Sequence, residues 1–224
     1  MSDWEFQERT SDAQNMSDVL KQTLFQPLSP WIDLVPLGYE THIPEKIRKL
    51  MRFVRNNTAA YVKFTPDYFV LDLTDPERMY LLEFKSTRTP LYSANRINLI
   101  RNYASDLSLS VENIGQIELA PYDSYMRLNS IGVRAAILNY CAYYSDKLLC
   151  EFVDKIKIVH KDIVRLETVR GSRTPFANID LRTLRSLQDF LSTEHANIDN
   201  ELLRKFISSA KEQLLKTMPV LHSG

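Results

Sequence analysis

Thr65-Pro66-Asp67-Tyr68-Phe69-Val70-Leu71-Asp72 and Met79-Tyr80-Leu81-Leu82-Glu83-Phe84-Lys85-Ser86-Thr87 are two short runs rich in aromatic and aliphatic residues, joined by Leu73-Thr74-Asp75-Pro76-Glu77-Arg78. Asp-Pro in the connection marks a turn, so the two runs read as a β-hairpin. Strand side chains alternate between faces, which sets Leu81, Glu83 and Lys85 on one face and Tyr80, Leu82 and Phe84 on the other. Folding the runs together about Asp75 brings Asp67 opposite Glu83, with Cβ atoms about 4.5 to 5.5 Å apart. Two carboxylates that close repel one another unless a cation or a shared proton lies between them. A hard dication such as Mg²⁺, which takes carboxylate oxygens and keeps waters that a phosphate can displace, meets that need. The plainer alternative is a solvated strand face preceded by a Pro-Asp turn. Against it, Leu81 makes the Glu83 face apolar at its start, and charges at the end of a buried strand are the less expected arrangement.

Pro66-Asp67, the hairpin, and Glu83-Phe84-Lys85 closing an apolar strand resemble the signature of the PD-(D/E)xK nuclease superfamily. The resemblance implies an α/β fold: a restriction-endonuclease-like core, a mixed central sheet of about four to five strands flanked by helices, with a C-terminal helical extension. It also implies that Asp67 and Glu83 bind Mg²⁺, with Mn²⁺ as a substitute, and that Lys85 positions or activates the attacking water. The helix ahead of the sheet in that superfamily often carries a further glutamate, for which Glu45 is the candidate here. First-turn compensation of a helix dipole explains Glu45 as well. His42, just before it, is a weaker candidate and reads more simply as a surface or satisfied polar group.

The composition is that of a water-exposed globular chain: 224 residues, 44% apolar, 25% charged, with 28 basic residues balancing 28 acidic ones. No apolar run reaches the length of a membrane span, and the polar start does not read as a signal peptide, so a cytoplasmic location is expected. Cys141 and Cys150 lack the partners of a disulfide framework or a zinc site. With only 5 glycines there is no phosphate-cradling loop, which argues against a P-loop or dinucleotide enzyme. A balanced charge is unusual for a protein that neutralises phosphates. Local clusters exist, however, at Lys46, Arg48, Lys49, Arg52 and Arg55, while Arg88, Arg96 and Arg101 follow the motif lysine. Those three arginines and Arg134 are the candidate nucleic-acid contacts, DNA being the expected partner and RNA the lesser one.

Along the chain, residues 1–26 read as an N-terminal arm, 27–170 as the nuclease-like core and 176–218 as a C-terminal helical hairpin, packed on the core or on a second copy in a homodimer. Pro44 begins a helix with Ile47, Leu50, Met51 and Val54 on one stripe. Ala59 to Phe64 reads as a first strand, and Ala94 to Leu107 as a helix. Residues 122–144 form the longest helical candidate, with Tyr125, Leu128, Ile131, Ala135, Leu138 and Ala142 near the helical period and Arg134 on its surface. Leu148 to Val153 and Lys155 to His160 read as strands. Asp180 and Asp199 each cap a helix, with Gly171 to Pro175 as the linker before them. Two functions follow: a Mg²⁺-dependent endonuclease acting on DNA or, second, on RNA, and a non-catalytic module that binds nucleic acid or protein.

Overall fold

Tyr80, Leu82 and Phe84 alternate with Leu81 and Glu83, and this pattern places the strand that carries them between two apolar layers. The computed structural model describes residues 14–38, 44, 46–47, 49, 57–87, 113–141, 147–160 and 176–217. In chain order these form helix α1 (14–25, its last turn the π-helix Lys21–Phe25), β1 (Ile32–Pro36), α2 (Asn57–Lys63), β2 (Tyr68–Asp72) and β3 (Tyr80–Thr87). Next come β4 (Ile114–Glu118), α3 (Leu119–Ser130), β5 (Ala135–Cys141), β6 (Leu148–Phe152), β7 (Ile158–His160) and β8 (Phe176–Asp180). The two-residue strand β9 (Arg185–Ser186), α4 (Leu187–Glu194) and α5 (Asn200–Thr217) are the last of the described elements.

The architecture is mixed α/β. A six-stranded sheet runs β1-β2-β3-β5-β6-β9, and a three-stranded sheet runs β4-β8-β7. The pair β3–β5 is parallel and the other pairs in the large sheet are antiparallel. This exceeds the four to five strands expected, because β1 adds an edge and β9 closes the far side. On one face Leu82, Phe84, Leu138 and Phe152 pack against Leu20 and Leu24 of α1, Phe190 of α4, and Leu203, Ile207 and Leu214 of α5. On the other, Leu81, Ala135 and Ile137 meet Tyr122 and Tyr125 of α3 and Ala177 and Ile179 of β8. Each large side chain so buried contributes roughly 1.5–3 kcal/mol.

Several expectations are corrected. Residues 122–144 are not one helix: α3 ends at Ser130, Gly132 takes a positive φ of 86°, and Ala135 begins β5. The run Ala135-Ala136-Ile137-Leu138 is apolar on both faces because both faces of β5 are covered, and periodicity alone does not separate that from a buried helix. Arg134 therefore leads into a strand. Ala59 to Phe64 falls in helix α2, not a strand. Alanines favour the helix, and Thr65, standing before Pro66, is pushed out of it. Asp180 caps only the 3₁₀ turn Leu181–Thr183 and is itself paired in β8; the helix starts at Leu187, where the Ser186 hydroxyl accepts from the Asp189 amide. Asp199 caps α5 as expected, its carboxylate accepting from the Leu202 amide at 2.9 Å.

Residues 14–26 of the N-terminal arm and residues 176–217 of the C-terminal segment are built into the core. Met16, Leu20, Leu24 and Phe25 are buried, and Phe25 stacks on Phe84 with ring centroids 6.1 Å apart. Strand β8 joins the small sheet, and Leu203, Ile207, Ala210 and Leu214 of α5 are buried within the same chain. The linker Gly171 to Pro175 and the helix of 94–107 lie outside the described residues, as does most of the helix after Pro44.

Candidate active site

The hairpin pairs Tyr68 with Leu82, Phe69 with Leu81 and Val70 with Tyr80. One step beyond the first of these pairs Asp67 lies across from Glu83, the register that symmetry about Asp75 predicts. Two bonds lock the facing pair: the Phe84 amide donates to Asp67 Oδ2 at 2.9 Å, and the Asp67 amide donates to Glu83 Oε2 at 3.3 Å. The Asp67 carbonyl in turn accepts from the amides of Leu37 and Gly38 at 2.8 and 3.0 Å, so the loop after β1 holds the backbone that presents the aspartate.

Lys85 Nζ stands 2.5 Å from Glu83 Oε1, on the face expected. The lysine side chain is 28% exposed and the glutamate 8%, so the pair opens to solvent at the lysine. Burial alone would lower the Lys85 pKa, but Glu83, Asp67 and Glu118 outweigh it and hold the ammonium above its ordinary value. Lys85 is thus a positive charge held against the Glu83 carboxylate.

Helix α3 supplies a group the sequence reading did not single out. The Tyr125 phenol is buried within reach of the Glu83 carboxylate's field. Burial, then the charges of Glu83, Asp67 and Glu118, push its phenol well above the ordinary range, so it remains a neutral donor. Glu118, at the N-terminal boundary of α3, acts on both Lys85 and Tyr125 through space. Tyr125 was legible only as one member of an apolar stripe; Glu118 carried no motif signal at all.

Among the described residues no group of three His, Cys, Asp or Glu side chains is close enough to hold a metal ion. The donor set at Asp67 and Glu83 is nonetheless of the kind Mg²⁺ uses, since that ion is commonly held by one or two carboxylates and completed by water and phosphate. Oxygen donors with no thiolate or imidazole favour a hard dication over zinc or copper.

Glu45, Arg88, Arg96 and Arg101 lie outside the described residues, as does His42. Arg134 is described, and it sits on the opposite face of the large sheet from Glu83. Its guanidinium lies 4.1 Å over the Phe152 ring and bonds Glu194 Oε2 at 2.6 Å. It belongs to a charge network on that face, not to the carboxylate pair. No protein-family model, curated protein or solved structure matches the chain.

Proposed function

We propose that the protein is a Mg²⁺-dependent nuclease that hydrolyses phosphodiester bonds in DNA, on a core that elaborates the restriction-endonuclease-like plan. The observation that carries this reading is the convergence of Asp67, Glu83 and Lys85 at one end of the β2–β3 hairpin, with the Asp67 carboxylate bonded to the Phe84 amide and the Glu83 carboxylate to the Asp67 amide. The parallel β3–β5 pair, reached by way of β4 and α3, supports the fold half of the proposal.

Asp67 and Glu83 would hold the ion, which when bound polarises a phosphate and lowers the pKa of water. Glu83 orients the site, since its two oxygens face different partners: Oε1 the lysine, Oε2 the Asp67 amide. Lys85 supplies a permanently protonated donor beside the carboxylates, able to align a water or to stabilise charge that develops on the phosphate oxygens. The neutral overall charge leaves attraction of the polyanion to local cations such as Lys85.

The deciding experiment incubates the purified chain with plasmid DNA and, in parallel, labelled RNA, in Mg²⁺, Mn²⁺ and EDTA. Cleavage of DNA that needs the dication and is lost in Asp67→Ala and Glu83→Ala is the expected result. Cleavage of RNA alone changes the substrate. Cleavage undiminished in both variants overturns the site, and Mn²⁺ binding heats that Asp67→Ala leaves unaltered would leave a non-catalytic binding module as the better reading.

A further inference from the structure

We infer that Asn139 is a further contact residue of this centre, its side-chain amide donating to a phosphate oxygen of the nucleic acid beside Lys85. The inference rests on the nuclease reading for the identity of the ligand and on separate observations for the place.

Strands β3 and β5 run parallel, with Lys85 in register with Asn139 and Glu83 in register with Ile137. Paired residues on neighbouring strands point to the same side of a sheet, with backbones about 4.8 Å apart. Ile137 belongs to the apolar layer shared with α3 and β8, and Leu149, the β6 partner of Asn139, packs against that layer. Leu138 and Tyr140 lie in the layer on the opposite face. Asn139 therefore stands on the face that carries Glu83 and Lys85, beside the lysine.

Packing alone asks for an aliphatic side chain at this position. Ala135 and Ile137 precede it on the same face of β5, and Leu149 lies across from it on β6. Asn139 is polar instead and only 3% exposed, and among the described residues none is hydrogen-bonded to its amide. Buried amides are as a rule satisfied, so the exception points to a partner from outside the chain.

Two features choose that partner. Lys85 and Asn139 stand near the ends of β3 and β5, which close at Thr87 and Cys141, and the carboxyl ends of parallel strands are where open α/β sheets take ligands. The second feature is chemical. Asp67 and Glu83 offer acceptors, and Lys85 is already engaged by Glu83, so a polyanion reaching this end of the sheet needs another donor. A carboxamide supplies two N–H donors without adding charge. Held on an interior strand of the sheet, it meets a phosphate oxygen with little reorganisation.

The plainer alternative is that water satisfies the amide and nothing else does. Asn139→Leu separates the two: it keeps the bulk, removes the donors and suits the apolar row, so its thermal melt should be no lower than the parent's. The full chain and this variant are compared by Mn²⁺ titration, by binding of a labelled DNA duplex in Ca²⁺, and by cleavage of that duplex in Mn²⁺. The Mn²⁺ dissociation constant should be unchanged. The duplex dissociation constant should rise about 10- to 100-fold, the worth of one hydrogen bond to a charged group, and cleavage at low DNA concentration should fall by the same factor. Asn139→Asp keeps the shape but sets a carboxylate where the donors were, and should bind the duplex more weakly still. Duplex binding equal to the parent's in both variants overturns the contact. A Mn²⁺ dissociation constant that rises in Asn139→Leu together with that for DNA also overturns it, since the residue then acts by holding the carboxylates. If the parent binds the duplex, both variants bind it less and nothing is cut, the nuclease reading falls while the phosphate contact stands. If the parent cuts and both variants cut equally well, the reverse holds. If the parent neither binds nor cuts, both fall.

Discussion

His195 Nδ1 lies 2.7 Å from Asp72 Oδ2, with the two side chains only 1% and 2% exposed. The bond ties the end of β2 to the turn between α4 and α5, and Tyr80 extends it, its hydroxyl 3.1 Å from His195 Nε2. A neutral imidazole satisfies both partners at once, with Nδ1–H donating to the aspartate and Nε2 accepting from the tyrosine.

That arrangement makes stability depend on acid. Burial holds the His195 pKa below its ordinary value despite the opposing pull of Asp72 and Glu194. Burial would raise the Asp72 carboxyl, but the Thr74 hydroxyl, His195 and the amides of Thr74 and Asp75 together bring it below the usual range. Both groups therefore bind protons more readily in the unfolded chain, so their stabilisation is present at neutral pH and declines as pH falls. For His195 the loss begins near the unfolded value of about 6.5, and Asp72 adds to it only below about 4. Thermal melts are expected to show a lower melting temperature at pH 5 than at pH 7, with a shallower slope in His195→Asn. A flat profile across that window rules out the buried neutral histidine.

Arg185 and Arg134 differ in what they leave behind. Arg185 grips Glu151 with two bonds, at 2.6 and 2.7 Å, and Glu151 is only 5% exposed. Arg185→Ala strands that carboxylate in the interior and should cost about 3 kcal/mol in chemical denaturation. Arg134, itself 41% exposed, pairs with Glu194 and covers Phe152, so Arg134→Ala should cost about 1 kcal/mol and leave nucleic-acid cleavage unchanged. Weakened nucleic-acid binding at intact stability would return Arg134 to the role the sequence suggested for it.

The hairpin was readable because its determinants are local: alternation fixes the faces, and the short Asp-Pro connection fixes the register that sets Asp67 across from Glu83. Helix α5 was readable for the same reason, since its cap and its stripe lie within one stretch of sequence. The boundary between α3 and β5 was not, because Ile131, Ala135 and Leu138 continue a helical spacing by chance. What overrides them is non-local: β5 is drawn into a parallel pairing with β3, a contact between segments about fifty residues apart. Tyr125 was hidden in the same way. Its ring belongs to the stripe that the sequence displays, whereas its place beside Glu83 exists only once α3 is laid across the sheet.

The break between α3 and β5 rests on Gly132, whose φ of 86° suits glycine and penalises other residues. A Cβ there would meet nothing within 4 Å, so Gly132→Ala is expected to cost about 1 kcal/mol from backbone strain alone. Gly115→Ala fails for the opposite reason: its Cβ would fall 2.6 Å from Leu181 Cδ2 in a packed layer, an overpacking worth about 1–3 kcal/mol. Urea denaturation of the two variants measures both, and a neutral Gly132→Ala would mean that the turn is not formed as described.

Lys85 offers the sharpest separation of binding from chemistry. Its ammonium now neutralises Glu83, so to a divalent ion it is a competitor for the carboxylates as well as a neighbour. Lys85→Met keeps the length of the side chain and removes the charge. Mn²⁺ affinity should therefore hold or rise, because the competing cation has gone. The rate should fall by about 10²–10³, the usual effect of deleting one donor aimed at charge that develops in the transition state. Asp67→Ala should do the reverse at the first step and lose the ion itself. Calorimetric Mn²⁺ titration alongside single-turnover cleavage distinguishes these outcomes. If Lys85→Met weakens Mn²⁺ binding as much as Asp67→Ala does, then the lysine acts by holding Glu83 in place and not by meeting the phosphate.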